Sequence, residues 1–313
     1  MHEHKAVFRL SVLSLFLPIL AGCTLSPLSQ RATTFSTAAC STILQVRNGY
    51  QVVEQSYFDA QAAHLVATFD KQGFDPSKIQ PFMRPADMKV RNQLLAGLQQ
   101  YATLLAEVSG DEPIDELDKQ SQALGTQLQA LSTDANLTAL AKNTTVDAGL
   151  VATAVDALGR VLIERKRAKE LPAVLERMQK PIDQICRLLE EDIGDPEKSG
   201  LRNQLSNDYD ELVKFQTTFI FQNEGKMTPE EKREQIQRLP RLVIEAKQAD
   251  AALEQTQDAL QHLATAHDAL AETRASKDAP AFRSLIAQLL TQSQQLGSVY
   301  AAVTATAATT TTN

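Results

Sequence analysis

Apolar residues recur every three or four positions along most of this 313-residue chain, which is the spacing of one face of an α-helix. A first stripe, from Ile43 to Ala67, predicts a long amphipathic helix. A second, from Leu242 to Leu270, keeps the four-three spacing of coiled coils through successive heptads. No pair of strands joined by a hairpin turn is evident. The pattern therefore predicts an all-α fold, an elongated antiparallel bundle of long, coiled-coil-like helices.

Prolines and glycines predict where these helices begin and end. The run Gly73-Phe74-Asp75-Pro76 ends the first stripe. Thr228-Pro229-Glu230-Glu231 predicts a helix start, because it offers a capping threonine, a proline at the first helical position and a glutamate that completes a capping box. Asp195-Pro196-Glu197 also predicts a helix start, and it suggests two layouts: two subdomains meeting near residues 194–200, or a single long bundle.

The same signals divide the chain into four parts. Residues 1–22 are a leader, and residues 23–35, with Ser, Thr and Pro but no sustained period, predict a flexible tether. Residues 36–300 form the helical bundle. Residues 301–313 are an Ala/Thr-rich low-complexity run and predict a disordered tail.

The leader carries the most specific motif in the chain. Lys5 and Arg9 precede a short apolar run, which ends in the tetrapeptide Leu20-Ala21-Gly22-Cys23. The apolar run is too short to cross about 30 Å of hydrocarbon as a permanent helix, so it predicts an export signal. The tetrapeptide resembles the lipobox of bacterial lipoproteins, and the resemblance covers residues 1–23 only.

This resemblance implies cleavage before Cys23, lipidation of the Cys23 thiol and acylation of the new amino group. Thr24 stands where an aspartate signals inner-membrane retention in the enterobacterial lipoproteins. The resemblance thus implies an anchor in the outer membrane, facing the periplasm, if the source is Gram-negative. The alternative is an ordinary secretory signal in which the cysteine has no special role.

Two cysteines remain after the leader, Cys40 and Cys186. An even number of cysteines in an exported protein predicts a disulfide between them. The alternative is a pair of buried free thiols that pack as small apolar side chains.

Composition and motifs narrow the classes of function. A net charge of −7 argues against a protein that binds nucleic acid by neutralising phosphates. The spacing of His262 and His267 does not suit a shared metal on one helix face, and no nucleophile elbow or dinucleotide-binding glycine fingerprint occurs. The sequence predicts no catalytic residues, no metal and no cofactor.

Two clusters of large apolar residues are candidates for contact with a partner or ligand. The segment Phe215 to Phe221 contains Phe215, Phe219 and Phe221, and its apolar residues exceed one helix face. The proline-rich loop from Gly73 to Pro85 contains Phe74, Phe82 and Met83. Packing in the core is the alternative interpretation for both clusters.

We therefore expect a lipid-anchored envelope protein that acts by binding rather than by catalysis. The first hypothesis is a scaffold or accessory protein that contacts another envelope protein through its helix faces. The alternative is a helical-bundle carrier of an apolar or lipid-like ligand, with a cavity near the Phe215 to Phe221 segment.

Overall fold

The computed structural model describes residues 27–73, 75–108, 115–164, 170–273 and 279–310. The leader, Cys23 and Phe74 lie outside these ranges. The described part of the chain is helical and contains no β-strand, which confirms the all-α prediction. In chain order the helices are α1 (Pro27–Gln72), α2 (Pro85–Val108), α3 (Asp115–Leu131), α4 (Ala135–Lys142), α5 (Ala148–Ile163), α6 (Leu171–Ile193), α7 (Leu201–Asn223), α8 (Pro229–Glu272) and α9 (Pro280–Thr310), with a short 3₁₀ turn at Pro76–Lys78.

Helices α1 and α8, of 46 and 44 residues, form the long axis of the bundle. They run antiparallel, since Phe35 packs on His267 while Gly49 lies against Leu253. Gly49 permits the close approach: a Cβ at this position would lie 3.0 Å from the Tyr300 hydroxyl of α9. Helix α9 packs along both long helices. Among the described residues, no helix is both long and apolar enough to span a bilayer.

The N-terminal half of α1 and the C-terminal half of α8 enclose most of the core. Helices α2 and α6 pack against them, and α3, α4 and α5 form an outer layer on α2 and α6. Large, fully buried side chains fill this region; they include Ile43, Leu94, Leu105, Leu175, Met178 and Ile185. Here the apolar helix faces that the sequence predicts are buried by close packing.

The other half of the long axis is built from fewer helices. We call it the distal bundle: residues 56–68 of α1, 208–223 of α7 and 229–248 of α8. Ser56 pairs with Asp208 and His64 packs on Phe215, so α7 runs parallel to α1. The buried residues of α8 begin only at Ala249, so its whole N-terminal half remains partly or fully exposed.

The helix start at Thr228 is confirmed. The Thr228 hydroxyl accepts a hydrogen bond from the Glu231 backbone amide, and the Glu231 carboxylate accepts from the Thr228 amide, which is a complete capping box. The prediction of a helix start at Asp195-Pro196-Glu197 is wrong. Residues 194–200 form a tight turn, with positive φ at Gly194 and Gly200, and α7 begins after it.

The two predicted flexible ends are also corrected. Residues 27–35 of the predicted tether already belong to α1, where Ala32 and Phe35 are buried in the core. The predicted tail is helical as far as Thr310 in α9. In the N-terminal segment, burial against neighbouring helices outweighs the weak helix propensity of Ser and Thr.

The predicted disulfide is not formed, and both cysteines are free. Cys40 Sγ lies 4.0 Å from Thr103 Oγ1, on the interface of α1 with α2. Cys186 is buried in α6, where the carboxylate of Asp268 on α8 is among the charges that act on it. The two thiols therefore lie on different helix interfaces, and burial raises the pKa of the Cys186 thiol.

Candidate functional site

A cleft of about 520 Å³ opens between α1, α7 and α8 in the distal bundle. It lies where the three helices pack around a shared centre without filling it. We call it the distal cleft. Its lining residues are Ser56, Asp59, Ala62, Ala63, Val66, Ala67, Tyr209, Leu212, Phe215, Gln216, Phe219, Gln222, Asn223, Gln235, Arg238, Leu242 and Glu245.

The cleft exists because two of its three walls carry few large apolar residues among the positions that line it. The apolar residues that α1 presents are Ala62, Ala63, Ala67 and the larger Val66. Helix α8 presents mostly polar side chains, with Leu242 as its one large apolar contribution. Protein interiors are normally packed as densely as organic crystals, so this arrangement leaves a void rather than a core.

The apolar wall comes from α7, in the segment that the sequence singled out. Phe215 and Phe219 line the cleft together with Leu212. The Phe215 ring packs edge-on against His64 with centroids 5.2 Å apart, which fixes its position against α1. Phe221 does not line the cleft and is 72% exposed on the outside of the bundle.

Carboxylates and a tyrosine gather at the end of the cleft nearest the main core. Asp59 on α1 and Glu245 on α8 line it beside Tyr209. Partial burial raises the pKa of both carboxyls, and the charge of Asp59 raises the pKa of Glu245 further. Asp59 accepts a hydrogen bond from Gln55 Nε2 at 2.9 Å, which partly offsets its own desolvation.

A third carboxylate lies directly behind this end, between α1 and α7. Asp208 is 2% exposed and accepts hydrogen bonds from Ser56 Oγ at 3.0 Å and Gln204 Nε2 at 2.6 Å. Burial raises its pKa to about 6, because the two neutral donors only partly replace the lost hydration.

Amides and a guanidinium line the cleft farther from the main core. Gln216 Nε2 donates to Gln235 Oε1 at 2.8 Å and so links α7 to α8 across the cleft. Arg238 Nη1 also reaches Gln235 Oε1, at 3.5 Å. The cleft is therefore acidic at its inner end, while an apolar α7 wall, several amides and the Arg238 guanidinium line the rest of it.

The proline-rich loop lies at a different cavity. Phe82 packs against Tyr57 with ring centroids 5.6 Å apart, and Met83 is buried. Both side chains border a polar cavity of about 560 Å³ between α2, α4 and the turn that precedes α7. The sequence therefore identified residues at two sites that the fold keeps apart.

The charges around this polar cavity are paired within the protein. Arg91 donates from Nε and Nη2 to the carboxylate of Asp192, which is 8% exposed and also accepts from the Tyr50 hydroxyl at 2.6 Å. Arg84 makes a two-bond contact with Asp87. These ion pairs already use the charged groups that could otherwise hold a ligand in this cavity. The distal cleft is therefore the stronger candidate site.

Sequence reasoning missed the α1 and α8 walls of the cleft, although a signal was present. Gln235 stands one heptad before Leu242, at a position that is apolar in the rest of the α8 stripe except at Thr256. A polar residue at an inward position indicates that the partner helix does not complete a core there. That signal has meaning only once the helices opposite are known.

Within the described residues, no group of three or more potential metal ligands is present. The buried His267 instead shares a hydrogen bond with the Tyr101 hydroxyl at 2.8 Å. Comparison of the chain with protein-family models, with curated proteins and with solved structures gives no match in any of the three.

Proposed function

We propose that this chain is a lipid-anchored, non-catalytic binding protein of the bacterial envelope and that the distal cleft is its ligand site. The observation that carries the proposal is a cleft of about 520 Å³ with one aromatic wall and polar groups at both ends. Small-molecule sites typically enclose about 300–1,000 Å³ and combine apolar walls with a few polar groups that fix orientation. The cleft fits a small amphiphile with an apolar body.

The packing around the cleft supports a binding role over an incidental packing defect. Phe219 is 39% exposed and Val66 is 68% exposed at its mouth, so apolar surface is left in contact with water. Exposed apolar surface of this kind is costly in an isolated protein, and it is commonly found at binding sites. A ligand with an apolar body would cover it.

The test is recovery of a bound molecule from the full-length protein purified from its native envelope, by native mass spectrometry. Ala63→Phe fills the middle of the cleft, and Ala130→Phe places the same side chain on the exposed face of α3 as a matched control. We expect a stoichiometric small molecule with the wild type and with Ala130→Phe, and its loss with Ala63→Phe. An equal ligand content in all three proteins would contradict the assignment of the site.

A protein partner is the second candidate function, and a separate surface favours it. Ile236, Val243 and Ile244 of α8 are between 44% and 55% exposed, and Phe221 of α7 is also exposed. Apolar side chains grouped on one end of a bundle are typical of surfaces that contact another helix. None of these four residues lines the distal cleft, so the two functions are separable.

Cross-linking in intact cells, followed by mass spectrometry, tests the partner hypothesis. Val243→Lys with Ile244→Lys is expected to abolish a specific cross-linked partner, whereas Ala63→Phe retains it. Cross-links that survive the double substitution would exclude this face of α8 as the contact.

The membrane anchor is proposed at Cys23, from the resemblance of residues 20–23 to a lipobox. The mass of the mature N-terminal peptide tests it directly, because acyl chains on Cys23 add a defined mass. Cys23→Ala is expected to remove that mass and release the protein from the membrane fraction. An unmodified Cys23 in the mature protein would refute the anchor and leave the cleft proposal untouched.

A further inference from the structure

The charges that line the distal cleft are unevenly placed. Asp59 and Glu245 lie at its inner end, and Arg238 lies two helical turns before Glu245 on the same helix. Two turns correspond to about 10 Å along an α-helix. Arg238 and the acidic end are therefore separated by the stretch of α8 that carries Leu242.

The inner carboxylates lack close cationic partners. Glu245 forms no hydrogen bond or ion pair in the part of the chain that the structure describes, and its nearest compensating charge is Arg241, one turn earlier on α8. Asp59 receives one hydrogen bond, from the neutral amide of Gln55. Asp208, behind them, is held by Ser56 and Gln204, which are also neutral. The two carboxylates that line this end therefore have no cation in contact, and the one behind them is held by neutral donors.

We propose that the distal cleft selects an organic cation: a primary amine head between Asp59 and Glu245, carried on an apolar body that lies along Leu212, Phe215 and Leu242. The inference rests on the proposed function, that the cleft is a ligand site, and adds the chemical class of the ligand. An ammonium group offers three donors, and these match the two carboxylates and the Tyr209 oxygen that line this end.

Arg238 fixes the direction in which such a ligand lies. Its positive charge disfavours an amine head farther along the cleft, so the amine takes the inner end and the apolar body points toward the Phe219 mouth. An anion of the same shape binds less well, because Asp59 and Glu245 repel its head at the inner end. Charge complementarity therefore discriminates between ligands that are equally apolar.

Three probes that share one apolar body test this selectivity: 4-phenylbutylammonium, 4-phenylbutanol and 4-phenylbutyrate. Each is titrated calorimetrically into the full-length protein held in an amphipathic polymer, with empty polymer particles as the blank. The ammonium probe is expected to bind about tenfold more tightly than the alcohol, because charge-assisted hydrogen bonds are stronger than neutral ones. The butyrate is expected to bind most weakly.

Matched variants assign the selectivity to the two carboxylates. Asp59→Asn with Glu245→Gln is expected to remove the preference for the ammonium probe while leaving the affinity for the alcohol within about twofold. Glu234→Gln removes one negative charge from an exposed α8 position outside the cleft and is expected to change nothing. Arg238→Gln is expected to retain or strengthen ammonium binding. Thermal melting of each variant shows whether the fold is intact.

Two adverse outcomes are distinguishable. Equal affinities for the three probes, or tightest binding of the butyrate, would overturn the cation proposal and leave the cleft as a ligand site. No binding of any probe, together with no co-purifying molecule in the wild-type protein, would overturn the proposed function itself.

Discussion

The neutral imidazole of His267 makes the stability of this protein depend on pH in a definite direction. His267 is fully buried between Phe35 of α1 and Tyr101 of α2. Its Nε2 shares a hydrogen bond with the Tyr101 hydroxyl, and its Nδ1 has no hydrogen-bond partner among the described residues. Burial lowers the pKa of His267 from 6.5 to about 4, since a charged imidazolium has no counter-charge there.

The sign and size of the effect follow from that pKa. In the unfolded chain His267 binds its proton as the pH falls through 6.5, whereas the folded protein resists protonation until about pH 4. The stabilising contribution is therefore complete above pH 6.5 and is lost as the pH falls from 6.5 toward 4. One pKa unit corresponds to about 1.4 kcal/mol, so the free energy of unfolding loses about 2.5 kcal/mol between pH 7 and pH 4.5 through this group alone.

Urea unfolding of the wild type and of His267→Gln at a series of pH values isolates this contribution. Glutamine does not titrate, and its amide replaces the nitrogen that contacts Tyr101. Other groups titrate equally in both proteins, so the wild type is expected to lose about 2.5 kcal/mol more than the variant on going from pH 7 to pH 4.5. Parallel pH profiles for the two proteins would refute the reasoning.

Three further predictions concern a buried carboxylate, an ion pair and a helix cap. Asp208→Asn is expected to stabilise the protein by about 1–2 kcal/mol at pH 7 but not at pH 4. The reason is that a carboxyl with a pKa raised to about 6 loses its stabilising contribution as the pH rises from about 4 through 6. An equal effect in urea unfolding at both pH values would contradict this. Arg91→Met leaves Asp192 buried without its guanidinium and is expected to cost about 3–5 kcal/mol, so a loss below 1 kcal/mol in the same assay would show that the pair is not structural. Thr228→Ala is expected to lower the free energy of unfolding by about 1 kcal/mol and to speed amide hydrogen exchange in the first turns of α8 only. Unchanged exchange there would show that the capping box is not needed.

The helices were largely predictable because their signals are local. Apolar spacing located the long stripes, and the cap at Thr228 was found from four consecutive residues. The N-terminus of α1 was missed because its sequence is rich in Ser and Thr. There the hydroxyls of Thr33, Thr34 and Thr37 donate to backbone carbonyls four residues earlier, and burial of Phe35 holds the helix in place.

The candidate site was only partly predictable because it depends on contacts between distant segments. The apolar residues of α7 could be recognised, since Phe215 and Phe219 stand out from the surrounding polar sequence. Ala63 and Arg238 carry no such signal, and they become cleft residues only because α1 and α8 meet at that level. The disulfide prediction failed for the same reason, since a count of cysteines contains no distances.

The early start of α1 determines how far the cleft stands from the proposed anchor. Only residues 24–26 separate Cys23 from Pro27, where the helix begins, and an extended chain of that length reaches about 10 Å. From Pro27 the helix runs without a break to Ser56 at the edge of the cleft, a rise of about 44 Å. With an acylated Cys23, α1 thus holds the cleft at a distance from the anchor that exceeds the thickness of the bilayer core. If α1 stands perpendicular to the membrane, the distal cleft lies outside the lipid layer that holds the anchor. There it can meet molecules that diffuse through the space next to that membrane.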